Sequence, residues 1–155
     1  MQIVDRLRQE NVSRLDLSHF ASCAADSAVA DVLKLMRTER ISAVFITEGA
    51  DLLGVFTERD VLTKIADAPE TWNRPVAEFM TPSPQVIGSD RPISEALHLM
   101  NEGHYRNLPI TDSDGRVLGN LPQNEVIRFL TDQFPVAVYN LPPDPDRVAT
   151  TKEGA

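Results

Sequence analysis

The feature that most constrains this chain is an internal repeat. The run Asp26-Ser27-Ala28-Val29-Ala30-Asp31-Val32-Leu33-Lys34-Leu35-Met36 lies over Asp90-Arg91-Pro92-Ile93-Ser94-Glu95-Ala96-Leu97-His98-Leu99-Met100 at an offset of 64 residues. The two leading aspartates align, and Val29 meets Ile93, Leu33 meets Leu97, Leu35 meets Leu99 and Met36 meets Met100. Further on, Leu53-Gly54 falls over Leu118-Gly119 at an offset of 65, and Asp60-Val61-Leu62 over Glu125-Val126-Ile127. The change of offset implies one residue inserted in the second copy, and the loop at Gly103 is its expected place. Few residues are identical. What repeats is the pattern of apolar and turn positions, so the fold is built from two like halves.

Each half predicts the same series of elements. An aspartate, Asp26 or Asp90, is placed to cap a helix. Apolar residues near helical spacing follow: Val29, Val32, Leu33 and Met36 in one copy, Ile93, Ala96, Leu97 and Met100 in the other. Pro92 suits the first helical turn, where a missing N–H costs nothing. A β-rich run comes next, Ala43 to Ile46 or Asn107 to Ile110. Turn residues Glu48 to Asp51 or Asp112 to Gly115 lead into a second strand, Leu52 to Phe56 or Val117 to Leu121. A second helix closes the unit, Glu58 to Asp67 or Gln123 to Thr131. The class is mixed α/β (α+β). A unit this small buries one face well, and packing two units sheet to sheet buries both and leaves equivalent clefts between them.

The halves are expected at residues 15–68 and 80–134. A linker at 69–79 contains Pro69 and Pro75, an N-terminal extension at 1–14 starts with a short helix, and a Pro-rich tail at 135–155 is expected as extended chain with a disordered end. The net charge is −8 and the 15 basic residues are scattered, which argues against a nucleic-acid partner. Apolar runs are too short for a membrane span, and the charged start lacks the apolar stretch of a signal peptide, so the expected location is cytoplasmic. Cys23 is the only cysteine, which rules out an intrachain disulfide; a small buried hydrophobe is its expected role.

Three short stretches carry a resemblance. Gly54-Val55-Phe56-Thr57-Glu58-Arg59-Asp60-Val61 resembles the Gly-x-x-Thr/Ser-x-x-Asp pattern of the CBS motif. His104-Tyr105-Arg106-Asn107-Leu108-Pro109-Ile110 resembles the Arg-x-Leu-Pro-Val run of its middle strand, and Met80-Thr81-Pro82 looks like the usual entry to a second motif. The resemblance covers about residues 15 to 134 and implies a pseudo-two-fold pair of CBS motifs, a Bateman module, each motif being a small β–α–β–β–α sheet packed against two helices.

The residues at Thr57 to Asp60 have a physical reading of their own. Thr57 closes a strand and opens a helix, where free N–H groups and a hydroxyl favour a phosphate. Asp60 sits one turn further along the same face, and a carboxylate suits the vicinal hydroxyls of a ribose. The alternative is that Thr57 is an N-cap and Asp60 stabilises the first turn. The resemblance implies the ligand roles: Thr57 on phosphate, Asp60 on ribose, with Arg59 counted in the site. It also implies that Arg106 pairs with phosphate, for which a guanidinium fork is well shaped; the alternative is a solvated side chain or an ion pair with Asp112. The adenine would be held by Pro84, Gln85, Val86, Leu108 and Pro109 in the second copy, or by Ala21, Ser22, Cys23, Ala43 and Val44 in the first.

The second copy departs from the pattern. Pro122 replaces Thr57, Glu125 replaces Asp60, and Ile41 is expected opposite Arg106. One competent site and one weak or empty site are therefore expected. The resemblance implies a non-catalytic regulatory module, with AMP as the favoured ligand and ADP, ATP or NAD using the same adenosine contacts. No cofactor or metal is expected. His19, His98 and His104 lie on separate elements, and neither a Gly-x-Gly-x-x-Gly nor a Walker loop occurs, so an enzyme is not expected. The expected partners are a second copy of the chain and a regulated enzyme or transporter acting in trans. The competing reading is a structural homodimerisation module without ligand. Val29, Val32, Met36, Leu62 and Ile65, with Ile93, Ala96, Met100, Ile127 and Leu130, are the helical faces available for a dimer.

Overall fold

A computed structural model describes residues 3–133. The Pro-rich tail expected at 135–155 lies outside the described residues. The chain runs α1 (Ile3–Gln9), β1 (Ala21–Cys23), α2 (Val29–Glu39), β2 (Ala43–Glu48), β3 (Asp51–Thr57) and α3 (Glu58–Asp60), which continues as a π-helical turn Val61–Ile65. It then runs β4 (Thr81–Pro82), β5 (Ile87–Gly88), α4 (Ile93–Gly103), β6 (Asn107–Thr111), β7 (Val117–Pro122) and α5 (Gln123–Gln133). The repeated series is present twice. The helix expected over 58–67 stops at Ile65, and its counterpart runs past Thr131 to Gln133.

Two sheets result, in the orders β1-β2-β3-β4 and β5-β6-β7. β1 is parallel to β2 and β5 to β6, whereas β2–β3, β3–β4 and β6–β7 are antiparallel. The entry segments are exchanged between halves. Thr81 and Pro82 lead into the second motif, yet they pair with Val55 and Gly54 of the first. Leu17 leads into the first motif, yet its carbonyl accepts the N–H of Asn120 on β7 at 2.9 Å. The glycines of the two copies permit this. A Cβ on Gly54 would stand 2.8 Å from the Thr81 carbonyl oxygen, and one on Gly119 2.6 Å from that of Leu17.

The helix caps differ from the expectation. α2 and α4 begin after Ala28 and Pro92, and neither cap position makes a side-chain hydrogen bond. Asp26 and Asp90 are thus not the caps. Backbone carbonyls from neighbouring segments take the first N–H groups instead: Arg74 and Trp72 receive those of Val29 and Ala30, and Glu10 receives that of Ile93. The linker thereby does for the first motif what the N-terminal extension does for the second.

The inserted residue also lies elsewhere. The offset of 64 holds through α2 and α4, through the left-handed residues Arg40 (φ 53°) and His104 (φ 55°), and along β2 and β6. Ile46 pairs with Gly54 and Ile110 with Gly119, so the extra residue is in the β6–β7 turn around Gly115 (φ 80°). Correcting the register makes Ser42, not Ile41, the counterpart of Arg106. Ile41 is a core residue whose counterpart is Tyr105.

Each motif has its own core. Val29, Val32, Met36, Ile41, Val44, Ile46, Phe56 and Ile65 pack in the first, joined by Val76 of the linker. Ile93, Ala96, Met100, Leu108, Ile110, Leu121 and Val126 pack in the second, joined by Val12 and Leu15. This removes most of the residues available for a dimer face. Leu62 and Ile127, at equivalent helical positions, stay exposed at 74 % and 57 %. Between the sheets lies a third cluster, Ala43, Phe45 and Val55, with Phe20, Leu52 and Val117 against it.

Candidate functional site

Thr57 ends β3 opposite Ala43 and forms the N-cap of α3. Its N–H donates to Asp60 Oδ2 at 3.0 Å, and its hydroxyl lies 3.3 Å from the same oxygen. Asp60 is 6 % exposed. Its Oδ1 accepts from Lys64 Nζ at 2.8 Å, and the same ammonium donates to the Phe79 carbonyl at 2.8 Å. The capping arrangement is therefore present. It leaves acceptor capacity, since a carboxylate offers about four lone-pair sites. Arg59 is exposed on the same turn.

Arg106 is exposed just before β6 and makes no ion pair among the described residues. The alternative partner Asp112 is engaged in its own turn, accepting the N–H groups of Asp114 and Arg116 at 2.9 Å each. The Arg106 carbonyl accepts the N–H of Gln123 at 2.8 Å, as the Ser42 carbonyl accepts that of Glu58 at 3.1 Å. Ser42 Oγ then reaches Asn107 Oδ1 at 3.2 Å. That bond ties the start of β2, beside Thr57, to the start of β6, beside Arg106. Thr57 and Arg106 thus flank two strand starts that one hydrogen bond between the motifs joins, with Asp60 bonded to Thr57.

The other expected residues fall in two groups. Pro84 and Val86 are half-buried, and Gln85 is exposed. Pro84 and Val86 line a cleft of about 440 Å³ with Asp51, Leu52, Ser83 and Thr111. Ser83 turns the chain into this cleft with φ 44°. Leu108 points into the core of the second motif and is fully buried, which leaves only its backbone for a ligand. Pro109 is buried and pairs with Asn120. In the first copy Ala43 and Val44 are fully buried, and Ala21 and Cys23 partly so. Burial pushes the Cys23 thiol above its ordinary pKa, against a smaller opposing effect of the Ser27 hydrogen bond.

Several residues of the junction escaped the sequence reading. Asn120 is fully buried; its Nδ2 donates to Asn107 Oδ1 at 2.9 Å and to the His19 carbonyl at 3.3 Å, while its Oδ1 has no partner. Its counterpart in the first motif is Val55, so a polar residue at an inward strand position was the available signal. Lys64 was also legible as a basic residue four positions after Asp60.

The second acidic position is built differently. Glu125 is 7 % exposed, and its Oε1 accepts from the Asp16 N–H and from Arg128 Nη2, both at 3.1 Å. Asp16 is itself held: Oδ1 accepts from the Ser18 hydroxyl at 2.6 Å and N–H at 3.0 Å, and Oδ2 lies 3.0 Å from His19 Nε2. The Ser18 hydrogen bonds, with the nearby His19, lower the Asp16 carboxyl below its ordinary range.

No helix among the described residues is long and apolar enough to cross a membrane. A sequence model of the CBS domain matches residues 12–67 and 76–132. A CBS domain-containing protein of Arabidopsis thaliana, CBSCBSPB3, is 34 % identical over 103 residues; the match covers 64 % of this chain and 18 % of that protein. This chain therefore spans about a fifth of the length of that relative. The crystal structure of CBSX2 in complex with AMP superposes with a TM-score of 0.70 at 24 % identity, covering 79 % of this chain and 97 % of that one. The CBS domain pair of MJ0100, in complex with 5′-methylthioadenosine and S-adenosyl-L-methionine, superposes with a TM-score of 0.68 at 20 % identity, covering 78 % and 99 %. Two matched domains on a two-fold repeat with exchanged entry segments make this chain a tandem member of the CBS-domain family.

Proposed function

We propose that the chain is a non-catalytic regulatory module that binds an adenine nucleotide at the junction of its two motifs, with AMP as the favoured ligand. The observation that supports this reading is the Ser42–Asn107 hydrogen bond, which ties the strand start beside Thr57 to the strand start beside Arg106. Arg106, exposed and without an ion pair among the described residues, would take the phosphate with the Thr57 hydroxyl. The free lone pairs of Asp60 would take the ribose hydroxyls. Each charge-assisted hydrogen bond of this kind contributes about 1.5–3 kcal/mol. The base would be bordered by Pro84, Gln85, Val86 and Pro109 with the Leu108 backbone, or on the Thr57 side by Ala21, Ser22, Cys23, Ala43 and Val44, where Ala21 pairs with Val44 and Ala43 with Thr57. The adenosine compounds named in the two superposed CBS structures support this class of ligand. ADP, ATP and NAD present the same adenosine and are the ligands to rank against AMP.

Binding would act on the seam between the motifs, where Ser42, Asn107, Asn120 and the His19 carbonyl form one chain of hydrogen bonds. A ligand shifts the motifs only as far as it binds one arrangement better than the other. The readout would pass to a regulated enzyme or transporter. A homodimer would use the helical surface of Leu62 and Ile127. That surface also supports the second reading, a dimerisation module without ligand.

Calorimetric titration with AMP, ADP, ATP and NAD, beside size-exclusion chromatography, separates the two. Saturable binding supports the regulatory reading. A folded dimer that binds none of them supports the second.

A further inference from the structure

Ala21 pairs with Val44 and Ala43 with Thr57, which sets Phe20, Ala43 and Thr57 level on neighbouring strands. Ala21 and Val44 face the core of the first motif, so Phe20 and Ala43, one step back along each strand, face the second motif. There Phe20 packs, with Val117, against the cluster of Ala43, Phe45 and Val55. The Phe20 and Phe45 rings have centroids 5.2 Å apart and planes at 32°. Ala43 and Phe45 are fully buried. The equivalent of Phe20 in the other half is Pro84, and that of Val117 is Leu52. Pro84 and Leu52 border the open cleft of about 440 Å³, whose lining includes none of Thr57, Asp60 and Arg106. The inter-sheet space is thus open where this position holds a proline and filled where it holds a phenyl ring, and the filled side is the one that carries Thr57.

The segment that carries Phe20 is anchored on α5 of the second motif. The Asp16 N–H donates to Glu125 Oε1 at 3.1 Å, the Asp16 carboxylate holds Ser18 and His19, and the Phe20 N–H donates to the Ser18 carbonyl at 2.9 Å. These bonds hold the ring over the strand start beside Thr57.

We propose that Phe20 gates the Thr57 side of the junction: a base bound there takes the place of the Phe20 ring on Ala43 and Phe45, so the ring limits the affinity for nucleotide. This rests on the nucleotide-binding reading above and commits the base to the Thr57 side. Ala43 is fully buried, and a base reaches its side chain only when the ring level with it leaves. The aromatic contact given up on leaving corresponds to about two- to tenfold in affinity. A smaller residue at position 20 removes that cost, and a larger one raises it.

The test compares wild type, Phe20→Ala and Phe20→Trp by calorimetric titration with AMP, each variant checked for a cooperative thermal transition. Phe20→Ala should bind AMP at least about twofold more tightly than wild type, and Phe20→Trp should bind it more weakly by a similar factor. A folded Phe20→Ala that binds no more tightly overturns the proposal, as does a folded Phe20→Trp that binds no more weakly; either result makes the side chain a stacking partner of the base or a bystander. Each variant decides alone should the other not fold. A general loosening of the packing moves both variants in the same direction, which also overturns it. Uptake of AMP by Phe20→Ala but not by wild type supports it. Failure of the functional reading looks different, because then none of the three proteins takes up AMP, and the proposal falls with that reading.

Discussion

Asp60 and Lys64 pair at 2.8 Å one helical turn apart, and the Lys64 ammonium also reaches the Phe79 carbonyl at 2.8 Å. One buried carboxylate therefore joins the helix start at Thr57 to the segment that leads into the second motif. Asp60 has a structural role as well as the proposed ribose contact, and the two separate on substitution. Asp60→Asn keeps the size of the side chain and loses the charge. Its expected cost is about 0.5–2 kcal/mol of stability, the range for a lost cap. AMP binding should fall by about 1.5–3 kcal/mol, the worth of a hydrogen bond to a charged group. Denaturant melts and titration calorimetry on the same sample read both numbers; a stability loss with unchanged AMP affinity leaves Asp60 a cap and nothing more.

Arg106 gives the cleaner functional test because it is exposed and makes no ion pair among the described residues. Arg106→Ala should leave stability within about 0.5 kcal/mol, as surface changes do. It should weaken AMP by more than it weakens adenosine, which has no phosphate. Equal losses for the two ligands would remove the phosphate role.

The glycines that admit the exchanged entry segments should tolerate no side chain. In Gly119→Ala the new methyl would stand 2.6 Å from the Leu17 carbonyl oxygen, which is backbone and has little room to move. The expected loss is about 1–3 kcal/mol, the usual cost of overpacking. A thermal transition unchanged from wild type would show that the Leu17 segment yields.

Asp16 predicts a pH dependence. Its folded carboxyl is lowered, chiefly by the Ser18 hydrogen bonds, so its stabilisation is fully present above the unfolded value of about 4. It is lost as pH falls through the lower folded value. The stability difference between wild type and Asp16→Asn should therefore be constant near neutrality and shrink as the pH drops below about 4. A difference that persists unchanged to the acid limit would contradict this assignment.

Leu62 and Ile127 predict the oligomeric state. Both are exposed on equivalent helices, at 74 % and 57 %. Leu62→Asp with Ile127→Asp should leave the fold unchanged and convert a dimer to a monomer by sedimentation. A wild type that sediments as a monomer, or a variant that stays dimeric, excludes this surface.

The repeat was legible in the sequence because apolar positions at helical and strand spacing reflect burial, and both cores contain the residues so marked. The caps were not. Asp26 and Asp90 lost to the Arg74, Trp72 and Glu10 carbonyls, and only tertiary placement reveals a backbone acceptor from another segment. The insertion was misplaced because Arg40 and His104 adopt left-handed conformations without glycine, while the extra residue sits in a turn that already contained one. The capping arrangement of Thr57 and Asp60 was legible from their spacing, and the place of Arg106 before a strand from the apolar run that follows it. That Leu108 faces the core, and that Asn107 and Asn120 span the seam, depends on which sheet face meets the other motif.

The most direct test of the central claim is a titration of wild type and Asp60→Asn with AMP under identical conditions. The account predicts saturable binding by the wild type and roughly tenfold or greater weakening in the variant, equivalent to about 1.4 kcal/mol or more. A folded wild type that takes up no AMP, or a variant that binds as tightly as wild type, would contradict it.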